Sequence, residues 1–289
     1  MTNIQELSAF ATRIAREAGA IAMEGFRNRE LGIDLKADFH DMVTKYDRAC
    51  EEHIRGAILE AYPGSTIVGE EDGASEGSGP LAWHIDPIDG TANFARGMAL
   101  WAVSIGIARD GEMIVGVVYD PANDHMFMAD DRGAFLNDEP MRSWGFTRPE
   151  QATVVLNFPL PRDLVHLPEL ALEQFTEASR QFAQVRALGS SCISLCWVAA
   201  GWVDATVSFE ANSWDVAASA FIVRQAGGAY RSYLGGEEQP PERDYLNPHY
   251  YATVPGGDYP ILEQIMLTQS ERPLPADHPA AALLTTPNS

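Results

Sequence analysis

An apolar run, Leu81 to Ile85, ends abruptly in Asp86-Pro87-Ile88-Asp89-Gly90-Thr91. A short apolar segment of this kind reads as a strand, and a strand feeding a core has little structural use for two acids at its end. Proline and glycine hold a sharp turn there. The turn lets Asp86 and Asp89 point inward together and leaves Ile88 to offer its backbone carbonyl. Two further segments place acids at the end of an element. Gly69-Glu70-Glu71-Asp72-Gly73 follows the strand pattern Thr66-Ile67-Val68, and Trp214-Asp215 opens a helical pattern. Taken alone, the Glu70 segment reads as an exposed acidic loop and Asp215 as a helix cap. Taken together, acids converging from strand ends and helix starts can build an all-oxygen cage for a hard divalent cation. Gly90 and Thr91 bring backbone N–H groups to a helix start, a cradle for phosphate.

The pattern around these segments mixes helices with antiparallel strands. Ile4, Leu7, Ala11, Ile14, Ala18 and Ile21 follow steps of three and four, which predicts one amphipathic helix from Ile4 to Phe26. A second helix is expected from Lys45 to Tyr62, with Thr44 as its N-cap and Asp47 at the third helical position, ended by Pro63-Gly64. Ala99 to Ala108 and Met113 to Tyr119 form a hairpin about Arg109-Asp110-Gly111-Glu112. Met126 to Ala129, Gly133 to Leu136, Gln151 to Asn157 and Val203 to Phe209 read as strands, and Leu167 to Phe182 and Cys192 to Ala200 as helices. Trp214 to Ala226 is a helix stopped by Gly227-Gly228. This order predicts an α+β fold of stacked layers. An N-terminal half over residues 1–150 carries most of the acids, a C-terminal half over 151–265 carries Asp215, and a proline-bearing tail over 266–289 is loosely held.

The formal net charge of -21 over 289 residues repels nucleic acid and anionic membrane surfaces, so neither is an expected partner. It would also repel a phosphorylated substrate, unless bound divalent cations reverse the local field. Cys50, Cys192 and Cys196 are an odd, sparse set that fits a reducing compartment rather than a disulfide framework. Cys192 and Cys196, one turn apart in an apolar stretch, read as core. No basic segment precedes an apolar run at the N-terminus, and no stretch approaches the ~20 apolar residues that cross a bilayer. The expectation is a soluble, cytoplasmic protein.

The motifs Asp41-Met42-Val43-Thr44-Lys45-Tyr46-Asp47, Gly69-Glu70-Glu71, Asp86-Pro87-Ile88-Asp89-Gly90-Thr91-Ala92-Asn93-Phe94 and Trp214-Asp215-Val216-Ala217-Ala218, followed by Ala226-Gly227-Gly228, resemble those of the inositol monophosphatase family in order and spacing. The resemblance covers residues 1 to about 265. It implies a layered αβαβα sandwich of the inositol monophosphatase and fructose-1,6-bisphosphatase type, usually a homodimer. It assigns Glu70, Asp86, the Ile88 carbonyl, Asp89 and Asp215 as ligands of two or three Mg²⁺ ions. Asp47 and Thr91 would join Glu70 in activating the attacking water, and Lys36 would help order the outer metal. Asp89, Gly90, Thr91 and Asp215 would also contact the substrate. The implied reaction is in-line attack of water on a phosphomonoester without a phosphoenzyme, inhibited by lithium. No Ser or Cys nucleophile beside a His base is required.

Substrate choice is where the likeness thins. Many members that hydrolyse inositol phosphates carry a Glu seven residues before the last metal-binding Asp, and here Ser208 stands at that place. If the strand continues, Glu210 shares a face with Ser208 about 7 Å further along, so Ser208, Glu210 and the loop to Ser213 are expected to read the substrate. Gly189-Ser190-Ser191 matches the family's substrate loop and equally suits an ordinary turn. The expected partner is a small phosphorylated metabolite, a polyol or sugar phosphate. Histidinol phosphate, fructose 1,6-bisphosphate and a 3′-phosphonucleotide are alternatives, the last disfavoured by Thr91-Ala92-Asn93-Phe94. A non-catalytic metal- or partner-binding homologue is the remaining option.

Overall fold

Two sheets organise the chain, the first finished at Met141 and the second begun at Thr153. The structure, a computed structural model, describes residues 3–28, 33–35, 42–275 and 278–281. In chain order its elements are α1 (Ile4–Gly25), β1 (Ile33–Leu35), β2 (Met42–Thr44), α2 (Lys45–Ala61), β3 (Thr66–Gly69), β4 (Gly73–Ser75), β5 (Leu81–Asp89) and α3 (Thr91–Ala95). The first half continues with β6 (Ala102–Arg109), β7 (Glu112–Asp120), β8 (His125–Asp130), β9 (Gly133–Leu136) and β10 (Glu139–Met141). The second contains β11 (Thr153–Leu156), α4 (Pro161–His166), α5 (Pro168–Gln181), β12 (Gln184–Arg186), α6 (Ser191–Ala200), β13 (Ala205–Ser208), α7 (Ser213–Gln225), β14 (Ala229–Leu234), β15 (Glu237–Glu238), β16 (His249–Thr253) and α8 (Pro260–Ser270).

The first sheet has the order β10-β9-β8-β7-β6-β5-β3-β4 and the second β12-β11-β13-β16-β14-β15, with β1 and β2 forming a separate ribbon. Helices α1 and α2 cover one face of the first sheet, while α6 and α7 pack between the two sheets. Helices α5 and α8 close the outer face of the second. The layers therefore run αβαβα, and each interval between them has its own apolar core. The middle core draws on both halves, from Val118 and Phe127 to Val223 and Tyr250. A sheet covered on both faces needs apolar side chains on both, which is why β6 is buried at almost every position.

Helix α7 comes unusually close to the first sheet. A Cβ on Gly106 would stand 3.0 Å from that of Ala217, and one on Gly116 would stand 2.4 Å from the Ala218 carbonyl oxygen. Two glycines facing two alanines set the depth of this helix, and with it the position of Asp215 in its first turn.

Several boundaries differ from the sequence reading for physical reasons. The strand expected to end at Ile85 continues to Asp89, because its register with β6 shifts between Asp86 and Asp89 and leaves Pro87 outside the ladder. Strand β13 stops at Ser208, short of Phe209. The helix α8 runs through the 265–266 boundary and buries Met266, Gln269 and Ser270. Beyond it, the tail expected to be loose is held at two places. Arg272 pairs with Asp163, and Ala280, 4% exposed, lies with His278 and Pro279 around a pocket of about 110 Å³ shared with Ala211, Asn212 and Ser213. All three cysteines are free and buried. No helix among the described residues is long and apolar enough to cross a membrane.

Candidate active site

In an uninterrupted strand, side chains three residues apart face opposite sides. Here Asp86 pairs with Ser104 and Asp89 with Ala102, so that two residues between them, Pro87 and Ile88, lie opposite one, Val103. The extra residue is a β-bulge, and it turns Asp86 and Asp89 to the same side. The Ile88 N–H donates to Asp86 Oδ1 at 3.0 Å, which closes the bulge on itself. The first turn of α7 supplies the third acid. Asp215 occupies its N3 position, and its Oδ2 accepts from the Asn212 N–H at 2.6 Å. One ligand oxygen from each of Asp86, Asp89 and Asp215 lies within 4.8 Å of the others.

This site is buried and crowded with like charge. Desolvation, and then the charges of Glu70, Asp89 and Asp215, hold the Asp86 carboxyl well above the usual carboxylate range. Desolvation, Glu70 and Asp89 do the same to Asp215. Burial also raises Asp89, opposed by hydrogen bonds from Ser190, Cys192 and Ser191. Of the neighbouring charges, that of Glu70 weighs most on Asp86. Among the described residues no Arg, Lys or His forms an ion pair with the three aspartates.

Asp47 and Thr91, expected from the resemblance to activate water with Glu70, lie side by side. Thr44 caps α2, and Asp47 Oδ2 accepts from the Thr44 N–H at 2.8 Å and its hydroxyl at 2.5 Å. The Thr91 hydroxyl lies 3.1 Å from Asp47 Oδ1 and 3.0 Å from the Ile88 carbonyl oxygen. It has one proton for two acceptors. Burial raises the Asp47 carboxyl, offset by its bonds from Thr44 and Thr91. Gly90, at φ +92°, is the N-cap of α3, and a Cβ there would stand 2.8 Å from the Leu100 carbonyl oxygen. Lys36 lies outside the described residues.

Ser190 and Ser191 lie at the start of α6, directed at Asp89. The Ser190 hydroxyl donates to Asp89 Oδ2 and accepts from the Ile193 N–H at 3.1 Å. Asp89 also accepts from the Ser191 N–H at 3.2 Å and the Cys192 N–H at 2.9 Å. An acid on the first sheet thus sits at the N-terminus of a helix from the second half, where backbone donors are unpaired by the helix itself. Asn93 holds the adjoining turn by donating to the Leu100 and Leu188 carbonyls, both at 2.7 Å.

The segment expected to read the substrate differs from expectation. Glu210 does not continue β13 and shares no strand face with Ser208. Its backbone is left-handed at φ +56°, and its N–H donates to His249 Nδ1 at 3.3 Å. The chain turns there because the partner strand ends too: Ser208 pairs with Tyr250, and the Ala211 N–H donates to the Pro248 carbonyl at 2.7 Å. The phenol of Tyr250 is fully buried with Ser191 and Ser208 as polar neighbours, a placement that its apolar sequence context concealed. Glu51 was also missed. It is fully buried on α2 and accepts from the N–H groups of Glu71 and Asp72 at 2.8 and 3.0 Å. Its spacing to Arg55, four residues on, was the only local signal.

Two sheets with helices between and outside them, and a buried carboxylate cluster at the seam of the halves, define a layered αβαβα sandwich with an oxygen-only site. The inositol monophosphatase family matches residues 3–265, and the chain belongs to that family. It is 39% identical over 229 residues to the Nus factor SuhB of Pasteurella multocida, covering 78% of this chain and 85% of that protein. It is 32% identical over 234 residues to the fructose-1,6-bisphosphatase/inositol-1-monophosphatase of Aquifex aeolicus, covering 80% and 87%. The crystal structure of the extragenic suppressor protein suhB from Bartonella henselae superposes with a TM-score of 0.78 at 26% identity, covering 93% of this chain and all of that one.

Proposed function

We propose that this protein is a Mg²⁺-dependent phosphomonoesterase that hydrolyses a small polyol or sugar phosphate with water as the nucleophile. One observation carries the reading: Asp86, Asp89 and Asp215 converge to within 4.8 Å in a buried site where no side-chain cation among the described residues pairs with them. Such a cluster is unfavourable as structure alone. Its donors are carboxylates and a carbonyl, the set that suits Mg²⁺ rather than a thiolate- or imidazole-seeking metal. Glu70, Asp86, the Ile88 carbonyl, Asp89 and Asp215 would hold two or three ions. When bound, these ions supply positive charge to the phosphoryl oxygens and acidify a water molecule.

The chain's own groups complete the chemistry. Giving its single proton to Asp47 leaves the Thr91 oxygen able to accept one from the attacking water. Asp47 is suited to that part because burial raises its carboxyl and makes it the stronger base. Gly90 and Thr91 at the start of α3 receive the phosphate, and the Ser208 to Ser213 segment faces the remainder of the substrate. The molecule acts as a homodimer under the same reading. The name of the Aquifex relative favours fructose 1,6-bisphosphate beside inositol phosphate as the ester, and histidinol phosphate stays on the panel. The name of the Pasteurella relative supports a second reading, a homologue kept for a partner rather than for turnover. Phosphate release from these esters with Mg²⁺, with EDTA and with added Li⁺ separates the two. Release that needs Mg²⁺ and is lost in Asp89→Asn supports the enzyme; no release from any ester supports the partner reading.

A further inference from the structure

Helix α2 carries two buried carboxylates one turn apart, Asp47 and Glu51, and positions four apart share a helix face. Asp47 reaches Thr91. Glu51 reaches the turn between β3 and β4, which carries Glu70. Its Oε2 accepts from the Glu71 N–H at 2.8 Å, and its Oε1 accepts from the Asp72 N–H at 3.0 Å and from Arg55 Nε at 2.8 Å. Arg55 also donates to the Gly73 carbonyl and, at 3.3 Å, to the Ser75 hydroxyl. The turn is therefore sewn to α2 through both its N–H and its C=O groups. The fit leaves no room for a side chain: a Cβ on Gly69 would stand 2.4 Å from Glu51 Oε1 and 2.8 Å from Arg55 Nη2.

We propose that Glu51, held by Arg55, is a positioning residue that fixes Glu70 against Asp86 and so sets the cluster's affinity for divalent cations. Glu70 faces repulsion from Asp86 and Asp215. A solvated turn would relieve that repulsion by swinging away. With Gly69 packed on Glu51 and the N–H groups of Glu71 and Asp72 bonded to it, the backbone on either side of Glu70 is fixed. Outer partners of this kind govern metal affinity because they remove the freedom a ligand would otherwise lose on binding. A carboxylate suits the task, since it accepts from all three donors at once. Glutamine has one acceptor oxygen and would turn its amide N–H₂ towards a donor.

This inference rests on the cluster being a cation site, and the test separates the two. Mn²⁺ is titrated into the metal-stripped full-length protein while the electron paramagnetic resonance of free Mn²⁺ is followed, in the parent, Asp86→Asn, Glu51→Gln and Arg55→Gln. Thermal melting in EDTA and steady-state kinetics on one ester accompany it. The expected result is a Mn²⁺ dissociation constant raised about tenfold in Glu51→Gln and Arg55→Gln, with kcat lowered and the KM for ester within about twofold of the parent. Should Glu51→Gln fail to fold, Arg55→Gln carries the test, since it leaves both backbone bonds of Glu51 in place. A lower melting temperature with unchanged Mn²⁺ affinity would overturn the proposal and leave Glu51 a structural acid. If the parent binds Mn²⁺ and Asp86→Asn does not, that failure belongs to the clamp alone. No binding in the parent sinks the clamp and the cation site together.

Discussion

Asp130, Asp163 and Asp244 are as buried as Asp86 and Asp89, yet each lies against an arginine: Arg132, Arg272 and Arg224. Glu51 has Arg55 in the same way. Among the described residues, the cluster of Asp86, Asp89 and Asp215 has no ion-pair partner, and other acids, uncharged side chains and backbone donors surround it. These four are paired with arginine, while two other buried acids, Asp120 and Asp204, are held by Asn123 and by backbone N–H groups instead. At Asp130, Arg132 and Ser8 outweigh the effect of burial and hold the carboxyl below its usual range. The cluster shows the opposite shift at all three positions, and so does Asp244, where burial outweighs Arg224. A site that stores like charge without a side-chain cation is poised for one from solution.

The contrast is broken most directly by substituting one acid from each group. Asp86→Asn should lower turnover about 10³-fold, since it removes a proposed metal ligand, and should leave the metal-free protein as stable as the parent or more so. Asp244→Asn should do the reverse: turnover within about twofold, and stability lower by about 2 kcal/mol because Arg224 loses its carboxylate. Steady-state kinetics and melting in EDTA check both. If Asp86→Asn melts lower and keeps its activity, the two groups are not distinct.

The next largest effect is on pH dependence. Asp47, Asp86, Asp89 and Asp215 all hold their protons to higher pH when folded than their ordinary value of 3.8. Folded protein then binds more protons than unfolded chain, so their contribution is fully present below about pH 4 and is lost as pH rises through the raised values. Asp130, shifted the other way, has already given its full stabilisation above the ordinary range. Metal-stripped protein should therefore melt lower at pH 8 than at pH 5, and saturating Mg²⁺ should flatten the slope. A melting temperature that rises over that interval without metal would contradict the shifts. The smallest effects are expected in the Ser208 to Ser213 segment. Ser208→Glu and Glu210→Gln should change the ranking of esters with kcat on the best ester altered by less than about tenfold. An unchanged ranking in both would remove this segment from substrate choice.

The local parts of this design were legible in the chain. The Thr44–Asp47 capping box, the amphipathic α1, the β6–β7 hairpin and the stop at Gly227 are all set by neighbours in sequence, and each forms where its pattern predicts. Asp86 and Asp89 were visible because a strand pattern gave no other reason for them, and Glu70 and Asp215, each readable as loop or cap alone, gained meaning beside them. What stayed hidden depends on residues far apart. Strand β16 is buried on both faces, so it shows no alternation to mark it. Ser190 reads as a turn residue until Asp89, from the other sheet, is found on its hydroxyl. Glu210 departs from its expected face because the partner strand ends, which its own sequence does not announce. Apart from its spacing to Arg55, nothing marks Glu51 among the acids of a chain with a net charge of -21.

The central claim is that Asp86, Asp89 and Asp215, which have no side-chain cation among the described residues, are joined by a divalent cation. Calorimetric titration of Mg²⁺ into the metal-stripped parent and into Asp86→Asn at neutral pH tests it most directly. The account predicts saturable binding in the parent, with release of protons from the cluster, and binding abolished or severely weakened in the variant. Saturable binding of equal strength in both proteins, or none in the parent, would contradict it.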